Sequence, residues 1–157
     1  MVQDSQWQET AKACLPLLYK VAHEVLHNPA DAQDAVQQAL MRTWEKRSRI
    51  QPESLRAYLT RATLNESRTM LRRQRYAIPV ETVPERIAPE RADLRPVMEA
   101  IAALPEHLRW PVWLKYLEDM SEKEAAEALG LTLAAFRSRL HRARKLLRHV
   151  LEEEVTV

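Results

Sequence analysis

The segment HEVLH at residues 23–27 places two histidines one helical turn apart, with a glutamate beside the first. In zinc hydrolases this spacing lets both imidazoles bind one metal ion while the glutamate activates a water molecule. Such a site also needs a third protein ligand and a walled cleft, and Ala30 stands where the metzincin pattern has glycine. The other interpretation is that His27 ends a helix, where positive charge is favourable. We therefore predict no metal, no cofactor and no catalytic residue, and we keep a zinc hydrolase as an alternative.

Two clusters of basic residues carry the second chemical signal. The formal net charge is only +2, yet residues 61–75 contain five arginines against one glutamate. Residues 137–149 contain five arginines and one lysine with no acid. Because the phosphate backbone of a nucleic acid attracts clustered positive charge, both segments are predicted to contact nucleic acid.

The second basic cluster follows the pattern of a helix-turn-helix. Ala126 stands four residues before Gly130, the one glycine of the chain, and Phe136 stands six residues after it. A small residue lets two helices cross closely, the glycine adopts the positive backbone angle of the turn, and the aromatic ring wedges between the helices. The second helix of such a motif lies in the major groove. The predicted base and phosphate contacts on its non-core face are Arg137, Ser138, His141 and Arg142. The alternative is an ordinary helical hairpin with a solvated basic face.

The elements that position these residues are predicted to be helices. A single glycine and an aromatic content of 6% argue against the repeated tight turns of a sheet protein. Residues 77–93 contain three prolines five positions apart among four acids, with too little apolar surface to pack, which is typical of a linker. We predict an all-α fold, with two small helical domains at residues 1–76 and 94–157 joined by this Pro-rich acidic linker.

Capping residues predict where the helices begin and end. Asn28 is expected to cap a second helix that opens with Pro29 and runs to about Lys46, and a third helix is expected from about Pro52 to Tyr76. In the second domain the predicted helices cover about residues 94–103, 105–119, 122–130 and 132–151, with Ser121 and Thr132 as caps and Pro111 as a kink.

At this point the residues resemble a known family. The stretch LPEHLRWPVWLKYLEDMSEKEAAEALGLTLAAFRSRLHRARKLL, residues 104–147, is similar to the fourth conserved region of extracytoplasmic-function sigma factors, which belong to the sigma-70 family. The segment NPADAQDAVQQALMRTW resembles the core-polymerase-binding helix of their second conserved region, and SLRAYLTRATLNESRTMLRRQR resembles their promoter-melting helix. The segments occur in the order that the family has, with its linker between them.

The resemblance implies a factor that binds core RNA polymerase and directs promoter-specific transcription initiation, with no chemistry of its own. The second domain then recognises the minus-thirty-five element through the four residues named above together with Lys115, and it lies against the beta flap. The first domain binds the beta-prime clamp helices through Asp31, Asp34, Gln37, Gln38 and Arg42. The implied minus-ten contacts, in a loop and on the third helix, are Arg49, Ile50, Asn65, Arg68 and Arg72. An anti-sigma factor is a further implied partner, and either Trp110 or Trp113 is expected to face a partner because both cannot be fully buried.

The remaining composition concerns location. The single cysteine, Cys14, rules out an intramolecular disulfide and suits a reducing compartment. No run of about 18 apolar residues and no signal peptide is found, so we predict a cytoplasmic protein without membrane insertion. Two alternatives within DNA binding stay open: a stand-alone helix-turn-helix regulator, and a sigma-like protein that does not initiate transcription.

Overall fold

The computed structural model describes residues 2–77 and 95–155, and all regular structure within them is helical. The chain divides into two compact units, residues 1–86 and 87–157, here called domain 1 and domain 2. The predicted all-α class is therefore confirmed. Of the predicted linker, residues 78–93 lie outside the described residues, so the linker stays a prediction. In the described ranges, no helix combines the length and apolar character that crossing a bilayer requires.

Domain 1 contains three long helices that all pack against one another. Their bounds are α1 Asp4–Leu26, α2 Pro29–Glu45 and α3 Leu55–Ala77, with short 3₁₀ turns at Arg47–Arg49 and Pro52–Ser54 between α2 and α3. The side chain of Asn28 accepts a hydrogen bond of 3.0 Å from the backbone N–H of Asp31, and Pro29 opens α2, as predicted. The third α-helix begins at Leu55 rather than Pro52, because Pro52 opens a 3₁₀ turn instead.

The core of domain 1 includes hydroxyl groups as well as aliphatic side chains. Thr43 is fully buried, and its hydroxyl donates a hydrogen bond of 2.7 Å to the carbonyl of Ala39. Ser67 is equally buried and bonds the carbonyl of Thr63 at 2.7 Å. Because the helix's own carbonyls accept hydrogen bonds from these hydroxyls, no buried hydroxyl is left unsatisfied and the cost of burying them is offset. This packing leaves the polar faces of α2 and α3 exposed to solvent.

Domain 2 contains α4 Arg95–Ala103, α5 Glu106–Val112, a π-helical turn Trp113–Leu117, α6 Glu122–Leu129 and α7 Leu133–Val155. The helix predicted to run from Pro105 to about Asp119 with a kink at Pro111 is α-helical only as far as Val112 and continues as the π-helical turn. Pro111 lies at this point, and proline removes a backbone donor from the α-helical ladder. The backbone N–H of Glu118 then bonds the carbonyl of Trp113 at 3.2 Å, five residues earlier.

The expectation that Trp110 and Trp113 cannot both be buried is wrong. They are 2% and 8% exposed, and the intervening Val112 is 2% exposed. The two indole rings meet edge to face, with centroids 5.3 Å apart. Positions three apart lie on the same side of an α-helix, so Trp110 and Trp113 can enter the core side by side.

Candidate nucleic-acid interface

The turn between α6 and α7 is held by three local devices. The hydroxyl of Ser121 caps α6 by accepting from the backbone N–H of Glu124 at 3.1 Å, and Thr132 caps α7 in the same way through Ala135. Gly130 lies between them with φ 68° and ψ 30°, the left-handed conformation that was predicted. These residues bring the two helices into the crossing of a helix-turn-helix.

The crossing is closed from inside by small and aromatic side chains. Ala126 of α6 is 3% exposed, and Phe136 of α7 is fully buried. Leu140 and Ala143 follow Phe136 on the same buried side of α7. The opposite side of α7 therefore faces solvent, and all four residues predicted to contact DNA lie there exposed: Arg137, Ser138, His141 and Arg142.

A carboxylate links this exposed face to the fifth predicted contact, Lys115. Glu122 accepts a hydrogen bond from Arg137 Nε at 2.8 Å and another from Lys115 Nζ at 2.5 Å. These two hydrogen bonds, that from Arg137 first, lower the pKa of Glu122 from 4.5 to about 2. The structure thus brings Lys115 beside Arg137, on the side of the motif where α7 is exposed.

A second cation of α7 is positioned by an aromatic residue. Arg144 donates to the hydroxyl oxygen of Tyr116, with its Nε at 2.7 Å, and its guanidinium lies 5.5 Å from the ring centroid. Lys115 Nζ lies 5.6 Å from the same ring. Tyr116 is 51% exposed, so this aromatic ring extends the basic surface without being part of the core.

The outer face of α2 carries the residues predicted to bind polymerase. Four of them, Asp34, Gln37, Gln38 and Arg42, are exposed, while Asp31 is half-buried. Asp31 accepts a hydrogen bond of 2.7 Å from Gln74 of α3. The helix therefore presents polar side chains around the exposed Met41, and one end of this surface is anchored to the end of α3.

Arg42 forms an ion pair across the groove between α2 and α3. Its Nε lies 2.7 Å from Oε1 of Glu66, whose side chain is 11% exposed while that of Arg42 is 64% exposed. A cavity of about 330 Å³ opens beside this pair. Its walls consist of Arg42, Lys46, Tyr58, Arg61, Ala62, Asn65 and Glu66. An aromatic ring, an amide and several cations thus converge on one cavity.

The predicted minus-ten residues do not all lie on the surface. Arg49, Asn65 and Arg72 are exposed and Arg68 is half-buried. Ile50, by contrast, is 4% exposed and belongs to the hydrophobic core of domain 1. The prediction that the Ile50 side chain contacts a base is not compatible with this burial. Burying an apolar side chain is favourable, and the loop between α2 and α3 lies close enough to the core for Ile50 to pack into it.

The loop that carries Arg49 is fastened by a neighbouring arginine. The guanidinium of Arg47 lies 3.7 Å from the ring centroid of Trp44, and its Nε donates to Asp4 at 2.9 Å. Trp44 in turn packs edge to face on Trp7, with centroids 5.0 Å apart. The end of α2 and the start of α1 are thereby joined just ahead of the loop.

The histidine pair of the HEVLH segment lies at the end of α1. His27 ends the helix with φ 53°, and the ring centroids of His23 and His27 are 6.2 Å apart. Within residues 2–77 and 95–155, no three histidine, cysteine or acidic side chains are grouped so that they could hold a metal ion.

Comparison with known proteins decides between these interpretations. The profile of Sigma-70 region 2 matches residues 10–76, and that of Sigma-70 region 4 matches residues 94–147. The RNA polymerase sigma-E factor of Streptomyces coelicolor is 32% identical over 152 residues, covering 93% of this chain and 86% of that protein. This chain is a sigma factor of the sigma-70 family. The family favours the extracytoplasmic-function sigma interpretation over a zinc hydrolase or a stand-alone regulator.

Further similarities agree with this family. The ECF RNA polymerase sigma factor SigE of Mycolicibacterium smegmatis is 30% identical over 158 residues, covering 92% of this chain and 61% of that protein. The solved structure of the sigma factor RpoE from Bartonella quintana, in complex with the anti-sigma factor NepR, superposes with a TM-score of 0.70 at 25% identity. That similarity covers 92% of this sigma factor and 96% of that chain.

Sequence reasoning missed several residues of the candidate surfaces in this sigma factor. From the sequence, Glu122 was predicted only to lie in a capped helix. Its hydrogen bond with Arg137 joins residues 15 positions apart, which no local pattern reveals. Tyr58 was missed, and Arg61 was placed in a basic cluster but not beside Asn65, although the two precede Asn65 by seven and four residues, the spacing of one helical face. Helical periodicity starting from Asn65 is therefore the signal that would have found them.

Proposed function

We propose that this sigma factor binds core RNA polymerase through domain 1, contacts promoter DNA through both domains and directs promoter-specific transcription initiation in the cytoplasm. The observation that carries the proposal is the exposed face of α7, because four polar or charged side chains project from the second helix of a helix-turn-helix whose other side is buried. Sigma factors are not enzymes, and we assign this chain no catalytic residue and no cofactor.

At the minus-thirty-five element, α7 enters the major groove with its second and third turns against the base edges. Arg137 and Arg142 supply guanidinium forks that suit guanine O6 and N7, while Ser138 and His141 supply shorter polar contacts. Lys115 supplies a point charge for a phosphate at the edge of the groove. Exposure and side-chain chemistry support these roles.

At the minus-ten element, we place a base extruded from the duplex in the cavity between α2 and α3. The cavity of about 330 Å³ lies at the lower end of the size range of small-molecule pockets. Tyr58 offers a ring for stacking, Asn65 an amide for the exposed base edge, and Arg61 a charge for the neighbouring phosphate. Arg49, Arg68 and Arg72 are proposed to bind the phosphates of the melted DNA strand that leads to this cavity.

For the polymerase, the outer face of α2 is the proposed contact with the beta-prime clamp helices. Its residues Asp34, Gln37 and Gln38 are exposed and adjoin Arg42, which also lines the cavity. One helix therefore serves the polymerase on its outer face and the melted strand at its end. Domain 2 is proposed to lie on the beta flap. An anti-sigma factor is a further proposed partner, since RpoE from Bartonella quintana was solved with one.

The test is transcription by the full chain assembled with bacterial core polymerase, on a promoter selected from a random library. We expect promoter-specific transcripts from the wild-type chain. Arg137→Ala and Arg142→Ala are expected to cost about 1–3 kcal/mol of binding and to relax sequence preference if the contact is to a base. Arg95→Ala, an exposed arginine of α4, is the matched control and is expected to leave selection unchanged.

Two results would contradict the proposal. A chain that binds duplex DNA but yields no transcripts with core polymerase is a stand-alone regulator or a sigma-like protein that does not initiate. Binding that does not weaken as salt is raised would contradict the phosphate contacts, because released counterions make such binding strongly salt-dependent.

A further inference from the structure

An acid lies inside the surface proposed to read the minus-thirty-five element, where negative charge opposes contact with phosphate. Glu122 bonds both Lys115, on the π-helical turn, and Arg137, on α7. It thereby joins three consecutive elements of domain 2 through two cations that are both proposed DNA contacts. Exposed ion pairs add little to folding stability, so stability alone is a weak reason for this arrangement.

The way in which Glu122 holds Arg137 leaves part of the guanidinium available. The contact is made through Nε, and Glu122 is the partner that the described residues give this side chain. The two terminal amino groups remain as donors, and these are the groups that bond guanine O6 and N7 in bidentate fashion. The Arg137 side chain is 63% exposed, so without Glu122 it would sample many orientations. A side chain oriented in advance loses less freedom on binding.

Lys115 experiences the opposite effect from the same carboxylate. Its ammonium lies 2.5 Å from Glu122 Oε1, and its side chain is 24% exposed. Contact with a phosphate therefore has to compete with an ion pair that already exists. This competition lowers affinity for every DNA sequence equally, so it changes the strength and salt dependence of binding but leaves the specificity ratio to the orientation of Arg137.

We infer that Glu122 is a positioning residue for DNA recognition, which presents the terminal amino groups of Arg137 to the major groove while it competes with DNA phosphates for Lys115 and Arg137 Nε. The inference rests on the proposed function of domain 2. Its consequence is that Glu122 increases the ratio of specific to non-specific affinity. The low pKa of about 2 keeps the carboxylate ionised at the pH of any binding assay.

The experiment compares Glu122→Gln with Glu127→Gln, which makes the same charge change on the same helix. Binding of the full chain is measured on a duplex enriched by the wild-type chain from a random pool, and on a random-sequence duplex of equal length. We expect the specificity ratio to fall about 3- to 10-fold in Glu122→Gln and to stay unchanged in Glu127→Gln. The salt slope on the random duplex is expected to steepen by about 1–2, since up to two cations are freed.

A second set of variants tests whether Glu122 acts through Arg137. In an Arg137→Ala background the loss of specificity caused by Glu122→Gln is expected to be small, because the oriented side chain is absent. Arg137→Lys is expected to lose specificity in the same way, since lysine has no fork to present. Equal effects of the two glutamine variants, or an undiminished effect without Arg137, would overturn the inference while leaving DNA binding intact. If the wild-type chain binds neither duplex at about 50 mM salt, the proposed function fails and the inference fails with it.

Discussion

Replacing Gly130 tests whether its backbone angle holds the helix-turn-helix together. The residue has φ 68° and ψ 30°, and it is exposed, so an added methyl group meets solvent rather than the core. A residue with a Cβ atom pays about 1–2 kcal/mol in this conformation, and alanine recovers about 0.4–1 kcal/mol by restricting the unfolded chain. The expected net loss for Gly130→Ala is therefore about 1 kcal/mol. In a domain of this size that corresponds to roughly 4–8 °C in melting temperature.

A graded series separates backbone strain from other effects. Gly130→Asn is expected to lose less than Gly130→Ala, because asparagine tolerates the left-handed region, and Gly130→Val is expected to lose most. Hydrogen exchange of the α7 amides, such as that of Phe136, which bonds the carbonyl of Thr132 at 2.9 Å, reports the opening of domain 2 separately from domain 1. If alanine proves as stable as glycine, or asparagine proves worse than alanine, the backbone explanation is refuted.

Two further predictions concern domain 2. Phe136 is fully buried, so Phe136→Ala is expected to cost about 3–5 kcal/mol, and hydrogen exchange should show faster opening of α7 with α1 unaffected; unchanged protection of α7 would contradict this. The lowered pKa of Glu122, about 2 against 4.5, means that its ion pairs contribute stability above about pH 4.5 and lose it as the pH falls toward 2. A carboxyl NMR titration is expected to show a midpoint near 2 that moves toward 4.5 in Arg137→Ala, and a wild-type midpoint near 4.5 would refute it.

Local chemistry explains why much of the helical architecture could be predicted from the sequence. Asn28, Ser121 and Thr132 cap the helices that they were predicted to cap, because each bonds a backbone N–H three residues further along the chain. Gly130 likewise has the positive φ that its helix-turn-helix position requires. Such interactions depend on a few neighbouring residues, so the sequence contains the information that they need.

The rest depends on how helices cross, which local patterns do not record. The bond from Arg47 to Asp4 spans 43 positions, and Ile50 is buried by packing on other helices. The π-helical turn Trp113–Leu117 was likewise not marked by the local pattern, in which Pro111 predicted only a kink. The candidate DNA-reading residues were found because they share one helical face, whereas Glu122, which lies on another helix, was not.

In each domain, one arginine that is proposed to contact a partner forms an ion pair with a less exposed glutamate. The side chain of Arg42 is 64% exposed, and that of its partner Glu66 is 11% exposed. The side chain of Arg137 is 63% exposed, and that of its partner Glu122 is 28% exposed. In both cases the carboxylate is the less exposed partner, so it stays in place while the far side of the guanidinium faces outward. A cation held in this way has a fixed counter-charge rather than a mobile one, and binding DNA through it releases fewer ions into solution. The salt dependence of promoter binding should therefore be weaker than the number of cations on α7 alone suggests, because Arg137 already has a carboxylate partner. The arginines that are paired with a glutamate contribute instead through the fixed orientation of their guanidinium groups.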